Sequence, residues 1–94
     1  MESGYISEKA LGYQQLTVDA TTAQALTIPA GTAAILITPE TQAIRLRDDG
    51  VSPTAAVGYP VPVGAEMRYT AGNKSAIRII GQVASSVVNV LYYG

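Results

Sequence analysis

QAIRLRDDGVSPTAAVG, residues 42–58, is the stretch whose reading decides the fold: a short alternating run that stops at an acidic turn and returns through a long polar segment. Side chains alternate sides along a strand, so Ile44 and Leu46 share one face and Arg45 and Arg47 the other. Asp48, Asp49 and Gly50 end the run. Asp bonds to nearby backbone amides and Gly accepts positive φ, so this trio favours a tight turn over a continued ladder. Pro53 and Gly58 extend the break. The unit reads as a strand and a corner, around which the other strands of a small all-β domain fold.

Working outward, residues 33–38 (AAILIT) are apolar on both faces, as expected of a central strand or one at an interface. Residues 29–32 (PAGT) precede it as a turn. Residues 10–18 alternate with a slip at Gln14 and Gln15, which predicts a bulged strand there. Residues 24–28 form a short β-prone run. On the other side, YPVPV at 59–63 belongs at a sheet edge, because Pro60 and Pro62 have no amide hydrogen to give a neighbour. Residues 66–70 place Met67 and Tyr69 on one face and Arg68 on the other. The segment Ala71, Gly72, Asn73, Lys74 predicts a hairpin turn leading into a strand at 75–80. Residues 87–93 (VVNVLYY) are the most β-prone run and close the chain. About eight short strands with turn signals every eight to twelve residues, and no helical period, predict a β-sandwich of jelly-roll type.

The composition bounds the size and chemistry. Ninety-four residues make one domain with a thin core. The chain is 48% hydrophobic and 14% charged, too apolar for a disordered tail. It has no Cys, so neither a disulfide nor a thiolate metal site supplements that core. A net charge of -1 offers no global attraction to a phosphate backbone or an anionic membrane, so neither nucleic acid nor membrane is an expected partner. MESGYISEK, residues 1–9, lacks the basic start and apolar stretch of a signal peptide, and the expected site of synthesis is the cytoplasm. We read residues 1–9 as an extended N-terminal arm anchored by Tyr5 and Ile6, and residues 10–94 as the sandwich.

The side chains argue against catalysis, and no cofactor is implied. Histidine is absent, which removes the commonest general base and the commonest metal ligand. Asp48, Asp49 and Glu66 are the carboxylates from which a glycosidase pair would have to come, but adjacent Asp residues before Gly are ordinarily turn formers. Calcium at Asp48 and Asp49 would need more oxygens than the spacing supplies. No serine stands in a GxSxG elbow, and the glycines do not form a phosphate loop. The tyrosines at 59, 69, 92 and 93 have stacking faces for sugars or bases, with core edge or subunit contact as the structural alternative. Arg45, Arg47, Arg68 and Arg78 lie in strands beside apolar residues. Two readings stand for them: a solvated sheet face, or intersubunit ion pairs with Asp48, Asp49 or Glu66.

The run Arg45-Leu46-Arg47-Asp48-Asp49-Gly50, with Pro53-Thr54 and Val57-Gly58, resembles a segment common in small structural proteins of tailed bacteriophages. The likeness extends to residues 25–31 (ALTIPAG), Tyr69, Ser75-Ala76-Ile77 and Asn89-Val90-Leu91-Tyr92-Tyr93, and departs at Leu46, where an aromatic is expected. The resemblance implies a virion component. The expectation that follows is a capsid decoration or cementing protein, a homotrimer on the capsid exterior that binds the major coat protein. A glycan- or receptor-binding fibre module and a neck or tail accessory ring are the alternatives. The expected interface residues are Tyr5, Ile6, Arg45, Arg47, Asp48, Asp49, Arg68, Tyr92 and Tyr93.

Overall fold

A computed structural model describes residues 9–94. Eight antiparallel strands are formed among them: β1 (Ala10–Val18), β2 (Gln24–Ala25), β3 (Ala34–Pro39), β4 (Ile44–Arg47), β5 (Tyr59–Val61), β6 (Met67–Tyr69), β7 (Arg78–Gly81) and β8 (Ser86–Tyr93). They make two four-stranded sheets, ordered β1-β8-β3-β6 and β2-β7-β4-β5. The chain changes sheet at nearly every connection, and only β4 and β5 are consecutive neighbours. Most pairs are therefore non-local, and the sandwich is a single cooperative object.

The inner faces follow from period-two alternation. In the first sheet Leu16 and Val18, Ile35 and Ile37, Val88, Val90 and Tyr92 turn inward. In the second, Ile44, Leu46, Val61 and Ile79 meet them in one continuous core. The register brings these rows together: Val90 is flanked by Gln14 and Ile37, and Ile79 lies opposite Leu46. Burying an Ile or Val of this kind stabilises the fold by roughly 1.5–3 kcal/mol. β3 and β8 are interior strands, as their apolar sequences predict, and β5 is an edge strand, as Pro60 within it and Pro62 just after it lead one to expect.

Four expectations need correction. The irregularity in β1 falls between Ala10 and Gly12, and the strand is regular through Gln14 and Gln15. Gln14 faces inward despite its amide, because Tyr92 Oη donates to its Oε1 at 2.6 Å and the Thr27 amide donates to the same oxygen at 3.1 Å. The apparent slip was a satisfied polar residue on the core face. Residues 71–74 do not make a hairpin. They cross from β6 in one sheet to β7 in the other through a turn of 3-10 helix, Lys74–Ala76, because Ile77 has to reach the core. Only Gln24 and Ala25 of the 24–28 run pair in the second sheet, while Leu26 and Ile28 pack against the core. Lys9, assigned to the arm, already exchanges two backbone hydrogen bonds with Gly94, at 2.8 and 2.9 Å. Tyr5 and Ile6 lie outside the described residues.

Candidate functional site

The corner after β4 is built by arginine. Arg45 points away from the core, and its guanidinium folds over the returning chain. Nε donates to the Ala55 carbonyl at 3.0 Å and Nη1 to the Gly58 carbonyl at 2.9 Å. A planar fork with fixed donors suits this double grip on two carbonyls better than an ammonium would. Between them, Thr54 and Val57 exchange backbone bonds at 2.8 and 3.2 Å, and Thr54 Oγ1 accepts from the amides of Ala56 and Val57. Gly58 is required where it stands. Its φ is +144°, and a Cβ there would come within 3.0 Å of Pro53 Cβ and 3.1 Å of Arg45 Cβ. Pro53 is buried beneath the loop.

The two aspartates have different partners. Tyr69 Oη, from edge strand β6 of the other sheet, donates to Asp48 Oδ2 at 2.6 Å and ties the corner across the sandwich. Burial, reinforced by Asp48, pushes the Tyr69 phenol up to about 12. Asp49 accepts from Arg47 Nε at 3.0 Å and forms an ion pair with Nη2 of the same side chain. That guanidinium holds the Asp49 carboxyl down to about 2. Both partners are open to solvent, with side chains 29% and 52% exposed, so the pair orders the turn more than it stabilises the fold. Among the described residues no three acidic groups gather as a cation site would need.

What the locked corner presents is apolar. Val51, Val57, Tyr59 and Val63, on the stretch that runs from the corner through β5, are 52%, 54%, 61% and 51% exposed. Pro60 and Pro62 stand exposed among them. Exposed apolar side chains on a pre-ordered backbone are what a protein contact uses, because little entropy remains to be lost on binding.

The structure therefore gathers Arg45, Arg47, Asp48 and Asp49 into one corner and distributes the other expected residues. Arg45 holds its own loop, and Arg47, on the solvent-open face of β4, pairs with Asp49 of its own chain. Arg78 likewise donates to the carbonyls of Ser75 and Ile77. Arg68 is exposed on β6, opposite Leu36. Tyr92 has to be withdrawn as a contact residue: it is 1% exposed, packed in the core, and its phenol is raised to about 12 by that burial. Tyr93 is half-buried on the outer face of β8, opposite Ala34. Val51, Val57 and Val63 were missed, although three valines in a segment full of Pro and Gly are a readable sign: loop residues with no core to join. No protein-family model, curated protein or solved structure matches the chain.

Proposed function

We propose that the chain is a non-enzymatic virion structural protein of a tailed bacteriophage, a decoration or cementing protein that binds the outer head surface and stabilises the coat lattice. The observation that carries this reading is the corner held by Arg45, which offers Val51, Val57, Tyr59 and Val63 to another surface on a backbone that is already ordered. Two further points support it. The sequence of that corner is one of the segments that resemble small structural proteins of tailed bacteriophages. The strand order reads as the winding of a jelly roll, an architecture used by capsid and lectin domains, which is an analogy of fold and not of site.

The mechanism is thermodynamic linkage. A ligand that binds the assembled lattice and not the free coat subunit stabilises the lattice by about 2.7 kcal/mol at a hundredfold excess over its Kd. A clamp contacting more than one coat subunit gains further from effective concentration. The test is to add purified protein to undecorated heads and follow co-sedimentation and the temperature of coat disassembly. Bound protein and a raised disassembly temperature are expected, with both effects lost in Val57→Asp. Failure to bind heads, or density for this chain on the neck, tail or fibres of a reconstructed particle, would overturn the reading.

A further inference from the structure

The outer face of the first sheet divides into a polar half and an apolar half. The alternation that sends Ile35, Val90 and Tyr92 inward sends their neighbours out, and the register sets those neighbours in rows across the strands: Gln15 and Asn89 in one, Tyr13, Leu91, Leu36 and Arg68 in the next, and Tyr93 beyond them. The polar row is satisfied internally. Asn89 Oδ1 accepts from Tyr13 Oη and from Gln15 Nε2, the latter at 3.1 Å, and Asn89 Nδ2 donates to Glu40 Oε1 at 2.7 Å. The apolar half has no second layer, because both sheets are spent on the one core and no strand among the described residues lies over Leu36, Leu91 and Tyr93. Tyr13 is 58% exposed, and Leu36, Leu91 and Tyr93 are partly exposed.

The chain enters the sheet at the apolar end of this face. Lys9 and Gly94 exchange their backbone hydrogen bonds one position beyond Tyr93. Eight residues, MESGYISE, precede Lys9. Met1, Tyr5 and Ile6 among them are large and apolar, Glu2 and Glu8 are acidic, none is basic, and Ser3, Gly4 and Ser7 suit a turn. Arg68 is the basic side chain of the face and stands exposed on the far edge strand, β6. It lies three strand spacings across from β1 and three residues along from Gly94, which places it roughly 18 Å from Lys9 at about 4.8 Å per spacing and 3.4 Å per residue. The seven steps from Lys9 back to Glu2 reach roughly 23 Å when extended, enough to span that distance with length left for a turn.

We propose that residues 1–8 fold back over the outer face of their own sheet, with Tyr5 and Ile6 on Leu36, Leu91 and Tyr93 and with Glu2 at Arg68. Point of entry, length and charge select this occupant together. The segment starts at the edge of the apolar half, it is long enough to cross all four strands, and its carboxylates match the cation on the far side. A segment tethered beside the face also holds an effective concentration there that a separate chain has to match. The cover withdraws one of the two apolar surfaces of the molecule from other proteins. It leaves the corner after β4, with Val51, Val57, Tyr59 and Val63, as the one that stays open.

Methyl and aromatic NMR of the full chain tests this. Nuclear Overhauser contacts from the Ile6 methyls and the Tyr5 ring to Leu36, Leu91 and Tyr93 are expected, and they should be absent from a spectrum that selects contacts between labelled and unlabelled copies. The double variant Tyr5→Ser, Ile6→Ser should lose them. It should shift the Leu36 and Leu91 methyls and leave those of Ile37 and Val90, on the core side of the same strands, in place. Arg68→Glu should weaken the contacts at low salt, and Glu2→Arg in the same chain should restore them. Absence of the contacts, contacts found only between copies, Leu36 and Leu91 methyls indifferent to the double variant, or no rescue by the exchanged charges would each overturn the proposal.

Discussion

The β3 and β8 pair and the corner at residues 48–58 are ordered by opposite means. Along β3 from Ile35 and along β8 from Val88 every second residue is apolar and inward, and packing holds the pair: Ile35 lies opposite Tyr92, and Ile37 opposite Val90. The corner buries only Pro53 among its eleven residues, and hydrogen bonds from Arg45, Thr54, Tyr69 and Arg47 shape it. Removing one methylene row from the pair therefore threatens the whole sandwich, whereas removing one donor from the corner releases a loop. A thin-cored protein can in this way keep its contact surface ordered without spending core residues on it.

Ile37→Ala should break the pair outright. The side chain is fully buried between the sheets, and the cavity it leaves should lower the unfolding free energy by about 2–5 kcal/mol, read as a shifted urea midpoint. Arg45→Met tests the corner. It keeps the apolar stem and loses the two carbonyl bonds, so global stability should fall by only about 1–2 kcal/mol, with faster amide exchange confined to residues 54–58. An equal rise in exchange along β8 would show that the two regions are not separable.

Tyr69→Phe removes the one hydrogen bond shown between the corner and β6, and should cost about 1 kcal/mol by denaturant titration. The wild type carries a matching pH signature. Tyr69 and Tyr92 have folded pKa values raised from 10.0 to about 12, so the folded state holds these protons more tightly than the unfolded one does. Their contribution is present in full below pH 10 and should be lost as pH rises toward 12. Phenolate absorbance should accordingly show two tyrosines that ionise only as pH approaches 12. The smallest effect belongs to Arg47→Gln. The Asp49 carboxyl should return from about 2 toward the usual carboxylate range in an NMR titration, with no resolvable change in the urea midpoint.

Much of the fold was legible because alternation survives translation into structure. Ile44 and Leu46 went in and Arg45 and Arg47 out, and the prolines at 60 and 62 announced an edge. Gln14 was misread because its amide hid a core position, and only the partners Tyr92 and Thr27, distant in sequence, explain it. The turn at 71–74 was misread because a turn signal says that the chain reverses and not which sheet it joins next.

The sequence by itself determined the eight short strands, their inward faces and the bend after Arg47, since these depend on neighbours a few residues away. Tertiary structure alone decided that Arg45 would hold its own loop, that Tyr92 would be core and Tyr59 surface, and that β1 would be left with an open edge. Those outcomes depend on which distant strands become neighbours, and local periodicity carries no record of that choice.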